Sequence, residues 1–128
     1  MITKEATING KQVTLGYCYA TEIAFREMAD IEMSQFIQSV INDFNAEPKG
    51  SPNVKTIILA IIASAMAYYQ SRGEESPITD KELMFEGDPT EIGNALGHII
   101  VMYAQFYKVD GLVEEQKPKG KRVTRKNA

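Results

Sequence analysis

The chain contains one histidine and one cysteine, two residue types that often carry catalysis. His98 lies four residues before Met102 in a predicted helix, and no sequence motif brings a nucleophile or a carboxylate to it. Cys18 stands between Tyr17 and Tyr19, with no Lys, Arg or His within several residues to stabilise a thiolate. We therefore expect His98 to be packed in the core or at an interface, and Cys18 to be an inert packed residue.

Carboxylates are the other candidates for chemistry, and they concentrate in predicted loops and first helical turns. The sequence lacks the alternating oxygen ligands and central glycine of a hand-like calcium loop. It also has no phosphate loop, nucleotide fingerprint, paired-cysteine motif or nucleophile elbow. We therefore predict a protein that is not an enzyme, holds no metal or cofactor, and uses its acids for capping and solvation. These acids are Glu74, Glu75, Asp80, Glu82, Glu86 and Asp88.

The two ends of the chain differ in charge. Residues 1–111 hold 8 Lys and Arg against 15 Asp and Glu, whereas residues 112–128 hold 6 against 2. An acidic, apolar-rich body with a short basic end is typical of a folded domain followed by a solvated tail. We therefore predict one helical domain over 1–111 and a flexible basic tail over 112–128.

This charge pattern allows nucleic-acid binding only through the tail. The segment 89–97 superficially resembles the recognition helix of a helix-turn-helix protein, but no Lys or Arg occurs from Glu82 to Tyr107. The tail has basic residues without interleaved aromatic ones, which is not the pattern of a single-strand binder. A small regulatory or nucleic-acid-associated protein that acts through this tail is the alternative hypothesis.

Composition predicts a protein of the cytoplasm. A lone cysteine cannot form an internal disulfide, which fits a reducing compartment, and residues 1–5 lack the apolar stretch of a signal peptide. The longest apolar run, from Ile57 to Tyr69 with only Ser64 interrupting it, is shorter than the roughly 20 residues that cross a bilayer. We therefore expect a buried core helix there and no membrane segment.

The dipeptide Asn9-Gly10 predicts a β-hairpin at the start of the chain. Asn-Gly is the strongest short signal for a two-residue turn, because both of its residues must take positive φ. The flanking residues Ile8, Val13 and Leu15 supply apolar side chains. Since an isolated hairpin is only marginally stable, we expect it to dock on the helices that follow.

About five helices follow, two of them long and apolar, so the predicted fold class is mainly α with an N-terminal β-hairpin. Apolar periodicity, cap residues and Pro or Gly positions set the boundaries. The first helix is predicted over 20–29. The second begins at a cap at Asp30 or Ser34 and runs to about Phe44. The third begins at the cap Ser51, followed by Pro52, and runs to about Arg72, before Gly73. The last two run from a capping box at Thr79–Glu82 to about Glu86, and from the cap Asp88 with Pro89 to about Tyr107.

The two long helices are apolar over more than one face. The last of them carries Gly93 and Gly97 in one stripe with Val101 and Ala104. Because glycine inside a helix costs about 1 kcal/mol relative to alanine, this stripe predicts a close helix crossing. A domain of this size can hardly enclose both helices, so we expect self-association or a helical partner.

The opening hairpin Ile8–Leu15 leads into a helix over Tyr19–Met28 with a Glu in its second half, and two long apolar helices and a charged end follow. Over residues 5–107 this arrangement resembles the tail assembly chaperones of long-tailed bacteriophages and prophages. The resemblance implies a non-catalytic protein of the infected bacterial cytoplasm, absent from the finished virion. Such a protein coats the tape-measure protein while tail tube subunits polymerise around it. Many members also have a longer form made by ribosomal frameshifting.

The resemblance implies the tape-measure protein as a partner, with the tail tube protein as a second candidate. Methionine and aromatic side chains give adaptable apolar contacts, which suit a partner of variable sequence. We therefore predict a partner-binding surface on the two long helices, with simple core packing as the alternative for each residue. The residues of this predicted surface are Ile57, Ile61, Met66, Tyr69, Met102, Tyr103 and Phe106.

Overall fold

A computed structural model describes residues 1–47, 50 and 53–109 of the chain. It has a two-stranded antiparallel hairpin followed by five helices, so the predicted mainly α class is confirmed. The predicted tail over 112–128 lies outside the described residues. The elements are β1 (Ile2–Ile8), β2 (Lys11–Tyr17), α1 (Tyr19–Ala29), α2 (Met33–Asn45), α3 (Val54–Ser71), α4 (Asp80–Glu86) and α5 (Pro89–Tyr107).

The hairpin forms around the predicted turn. Ile8 pairs with Lys11, and both residues between them have positive φ, 51° at Asn9 and 77° at Gly10. This is the backbone of the two-residue turn that Asn-Gly favours. The inner face of the hairpin is buried against α3 and α5. The hairpin therefore docks on the helices, as predicted. Its buried side chains are Ala6, Ile8, Val13, Leu15 and Tyr17.

Replacing Gly10 by Val should destabilise the hairpin by about 1–2 kcal/mol, because a β-branched residue resists positive φ. Among the described residues, no atom outside the local chain lies within 4 Å of the position that a Cβ would take there, so backbone strain is the expected cause. Thermal unfolding measures the effect, and Gly10→Asn is the matched control because Asn tolerates this conformation. A Val variant that melts with the parent would contradict the turn assignment.

Helix α3 is the centre of the domain. Ten of its 18 residues are buried, and it lies against β2, α1 and α5. The one polar side chain among these ten is Ser64, whose hydroxyl donates to the Ala60 carbonyl over 2.9 Å. By length and composition alone α3 resembles a membrane span, as the core helix of a soluble protein also does. The expected buried core helix is present.

Helix boundaries follow the predictions at α4 and α5. Thr79 accepts a hydrogen bond from the Glu82 amide over 3.1 Å, and Asp88 accepts one from the Glu91 amide over 3.0 Å. Pro89 occupies the first turn of α5. Gly73 has φ 73° just beyond α3, as expected of the residue that ends it.

The predicted caps of α2 and α3 are wrong. Asp30 ends α1 in the left-handed conformation, and α2 begins after Glu32, whose amide donates to the Gln35 side chain over 3.0 Å. Helix α3 is capped by Asn53, which accepts from the Thr56 amide over 3.1 Å. The predicted cap and first residue, Ser51 and Pro52, lie outside the described residues. Several polar residues near each start can cap a helix, so composition alone does not select one.

The close helix crossing predicted at Gly93 and Gly97 is not present among the described residues. Within residues 1–47, 50 and 53–109, no atom outside the local helix backbone lies within 4 Å of the Cβ position at either glycine. Helix α5 packs on the domain through its other side, which includes Ile99 and Met102. The glycine side of its first half is therefore open.

Candidate interaction surface

Four helices surround an apolar groove at one end of the domain. The end of α2, the start of α3, the second half of α4 and the start of α5 meet there, leaving a cavity of about 440 Å³. This volume lies in the range of cavities that hold ligand-sized groups. Every lining residue is apolar, glycine or proline: Phe44, Val54, Ile57, Ile58, Leu83, Met84, Gly87, Pro89, Ile92, Gly93 and Leu96.

Large apolar side chains in and beside the groove are exposed in the part of the chain that the structure describes. Val54 is 63% exposed, Phe44 and Met84 are each about half exposed, and Phe85, next to Met84, is 82% exposed. Phe44, Val54 and Met84 all line the groove, so together they form an exposed apolar patch. Patches of this kind on a folded domain mark interaction sites.

The residues adjacent in sequence to the groove lining are mostly acidic, and the Lys11 ammonium of the hairpin pairs with one of these acids, Glu82. Among described residues directly adjacent in sequence to the lining residues, Lys55 is the one cation. The same positions hold five carboxylates, at Asp43, Glu82, Glu86, Asp88 and Glu91. An apolar surface flanked by negative charge favours a partner that carries apolar side chains and positive charge.

Two of these carboxylates attach the hairpin to the helices. The Glu82 carboxylate accepts a hydrogen bond from the Asn9 side chain over 3.1 Å and pairs with the Lys11 ammonium over 2.9 Å. The Glu91 carboxylate accepts a hydrogen bond from the backbone N–H of Asn9 over 2.7 Å. The predicted capping box at Thr79–Glu82 is therefore only half formed, because the Glu82 side chain turns to the hairpin. Hydrogen bonds from Lys11 and Asn9 lower the pKa of Glu82, so this attachment is charge-assisted.

The opposite end of the domain carries an aromatic cluster. The Tyr17 ring lies 5.9 Å from that of Tyr103 and 5.4 Å from that of Phe106. The Glu22 carboxylate accepts from the Tyr17 hydroxyl over 2.7 Å and from the Tyr107 hydroxyl over 2.6 Å. Burial and then the bond to Glu22 raise the pKa of both tyrosines, which stay protonated as donors. The cluster fixes the start of α1 to the end of α5.

The candidate residues for chemistry are not brought together. His98 is half-buried, and burial, with the charge of Lys4, lowers its pKa. Cys18 is half-buried at the start of α1, with its sulfur 3.9 Å from the Thr21 hydroxyl. Across residues 1–47, 50 and 53–109, no three His, Cys, Asp or Glu side chains converge as a metal site would require.

No family model, curated protein or solved structure matches the chain.

The seven residues predicted as a partner surface do not share one face. Ile57 lines the groove, but Ile61 and Met102 have no exposed surface and cannot contact a partner in this fold. The other four are half-buried against the core, and the Tyr69 hydroxyl accepts from the Thr14 amide over 3.1 Å. These four are Met66, Tyr69, Tyr103 and Phe106.

The sequence-based prediction missed most of the groove. Phe44, Val54 and Met84 are its exposed lining residues, and none of them belongs to the predicted surface. One signal was available at α4, where Leu83, Met84 and Phe85 are consecutive in a helix of seven residues. A helix that short buries one side only, and Leu83 takes the buried position.

Proposed function

We propose that this protein is a non-catalytic tail assembly chaperone that binds helical segments of a phage tape-measure protein in the bacterial cytoplasm. The tail tube protein would then polymerise around the coated tape measure. The observation that carries the proposal is the open groove, whose lining is wholly apolar. Among the described residues, no group of His, Cys, Asp or Glu side chains is placed to hold a metal ion. The sequence resemblance supplies the identity of the partner.

The shape and composition of the groove support a helical partner. Amphipathic helices bind in apolar grooves through side chains spaced by one turn, at i, i+3, i+4 and i+7. Gly93 lies in the groove and is exposed, and no described atom outside the local helix backbone lies within 4 Å of the Cβ position at Gly93 or at Gly97, one turn later. A partner helix can therefore approach the α5 backbone closely.

Methionine and phenylalanine at the rim support a partner of variable sequence. Met84 is unbranched and adapts its shape to what it contacts, and Phe44, which also lines the groove, offers a large apolar face. The acidic surroundings favour segments with Lys or Arg beside their apolar face. A long, largely helical client with many similar segments would present such sites repeatedly.

Co-expression with the tape-measure protein encoded by the same phage or prophage tests this proposal. We expect the tape-measure protein to stay soluble and to co-purify with the chain, and to aggregate when expressed alone. Size-exclusion chromatography of the purified complex measures the association. Tight, salt-sensitive DNA binding without any association with the tape-measure protein would instead favour the tail-driven alternative.

A further inference from the structure

We infer that Lys11, in the hairpin, positions the wall that α4 contributes to the groove, and that its hold on this wall weakens as ionic strength rises. Leu83 and Met84 line the groove from α4, whereas Lys11 does not line it. Lys11 is thus a positioning residue, and it acts through Glu82 in the first turn of α4. The control of α4 stands on contacts within the domain, and its effect on a client rests on the proposed function.

Helix α4 has little of its own to keep it in place. It has seven residues, and a helix of this length is marginal in water without tertiary contacts. Leu83 is its one buried residue, and the other six are exposed or half-buried. One buried side chain fixes a point of the helix and leaves the helix free to turn about that point. Because Met84 follows Leu83 directly, such a turn moves Met84 relative to the rest of the groove.

The two ends of α4 are attached differently. Its C-terminal end joins α5 through two residues, Gly87 and Asp88, and the position that a Cβ would take at Gly87 lies 3.2 Å from the Ile92 side chain of α5. Its N-terminal end follows an eight-residue connection, 72–79, in which Ile78 is buried. The N-terminal end therefore has more freedom, and a further contact has most effect there.

The hairpin turn supplies that contact. The Lys11 ammonium pairs with the Glu82 carboxylate over 2.9 Å and donates a hydrogen bond to the Pro77 carbonyl over 2.8 Å. The Asn9 side chain donates to the same Glu82 carboxylate over 3.1 Å. The turn is itself fixed to α5, because the backbone N–H of Asn9 donates to Glu91 over 2.7 Å. Lys11 therefore joins the connection before α4 and the first turn of α4 to a docked hairpin.

Solvent reaches the ion pair in these contacts. The Lys11 side chain is 45% exposed and the Glu82 side chain is 21% exposed, so dissolved ions screen their attraction. Apolar packing, such as that of Leu83, does not weaken with added salt in this way. The wall is therefore held more firmly at low ionic strength than at high ionic strength.

The position of α4 matters for a client, because a client contacts Met84 in the groove only while α4 lies in place. The apparent affinity for a client falls with the fraction of molecules in which α4 has moved away. Removing the positive charge of Lys11 leaves the acids beside the groove less neutralised, which by itself favours a basic client. A loss of affinity on removing Lys11 is therefore the signature of a displaced wall.

Hydrogen exchange of the full chain, followed by NMR at single amides, tests the hold on α4. A helix this short unfolds once it is released, so the amides of 83–87 report the release. Lys11→Met keeps the apolar stem and removes the ammonium, and we expect these amides to exchange about five- to ten-fold faster at low ionic strength. Lys11→Arg should behave as the wild type. Lys81→Met removes the same charge from an exposed position of α4 and is the matched control.

Ionic strength provides the second part of the test. Between about 0.01 M and about 1 M, exchange at 83–87 should rise in the wild type and stay constant in Lys11→Met. Glu82→Gln removes the same ion pair from the other side and should also lose the salt dependence. Unchanged exchange in Lys11→Met, or a salt effect that persists in it, would overturn the inference. An equal increase at the buried amides of α3 would overturn it too, because the whole domain would then be destabilised.

Client binding separates this inference from the proposed function. With a helical segment of the tape-measure protein as the probe, we expect Lys11→Met to bind about two- to five-fold more weakly than the wild type. Lys11→Arg and Lys81→Met should show no such loss. A wild type that does not bind the segment, with the exchange pattern as expected, would refute the proposed function and leave the control of α4 in place. Binding by the wild type with unchanged exchange in Lys11→Met would do the reverse.

Discussion

Replacing Tyr17 by Ala should lower the free energy of unfolding by about 3–5 kcal/mol, the largest effect expected of any change at the aromatic end. Tyr17 is fully buried, and its ring packs between those of Tyr103 and Phe106. Its hydroxyl also donates a hydrogen bond to the Glu22 carboxylate on α1 over 2.7 Å. Truncation leaves a cavity and removes the connection between the hairpin, α1 and α5. Urea denaturation monitored by circular dichroism measures the loss.

Tyr17→Phe is the matched control, because it keeps the ring and removes only the hydroxyl. We expect it to cost about 1–2 kcal/mol, since Glu22 loses one donor and keeps the Tyr107 hydroxyl. An Ala variant that is no less stable than the Phe variant would show that the ring packing contributes little. In that case the aromatic cluster would not be what holds the hairpin, α1 and α5 together.

Features set by a few neighbouring residues could be predicted from the sequence. The Asn9-Gly10 turn depends on positive φ at two adjacent residues, and the caps at Thr79 and Asp88 each depend on the amide three positions later. Each is a local interaction with a strong residue preference. The hairpin, the five helices and the buried position of α3 follow from these signals together with apolar periodicity.

The groove could not be predicted in the same way, because four separate elements form it. Periodicity shows that α3 has apolar residues nearly all round, but not that Ile61 is enclosed while Val54 is exposed. That difference depends on where β2 and α1 lie against the middle of α3. The carboxylate Glu82 illustrates the same limit, because its partner Asn9 is 73 residues away in the sequence.

Tyr103 and Phe106 show why the predicted surface and the groove differ. Exposed aromatic residues often anchor interfaces, and sequence alone does not distinguish them from aromatics that pack on a buried neighbour. Both residues contact Tyr17, so replacing them by Ser would destabilise the fold and would reduce binding for that reason. Variants at the groove rim test binding without this complication.

Met84→Glu should weaken client binding by about 3 kcal/mol, on the order of 100-fold, with little change in folding stability. Met84 lines the groove and is about half exposed, so the free protein can keep a carboxylate there in water. A bound apolar helix would have to remove that water without supplying a partner for the charge. Ser34→Glu adds the same charge at an exposed position of α2 and serves as control.

The most direct test of the groove is a titration of the purified chain with a fluorescently labelled helical segment of the tape-measure protein that binds the wild type. Fluorescence anisotropy gives the affinity for the wild type, Met84→Glu and Ser34→Glu, and thermal unfolding of each establishes that the fold is intact. We predict that only Met84→Glu loses affinity, by the order of 100-fold, at an unchanged melting temperature. Equal affinity of all three folded proteins would contradict the proposal that the groove binds the client.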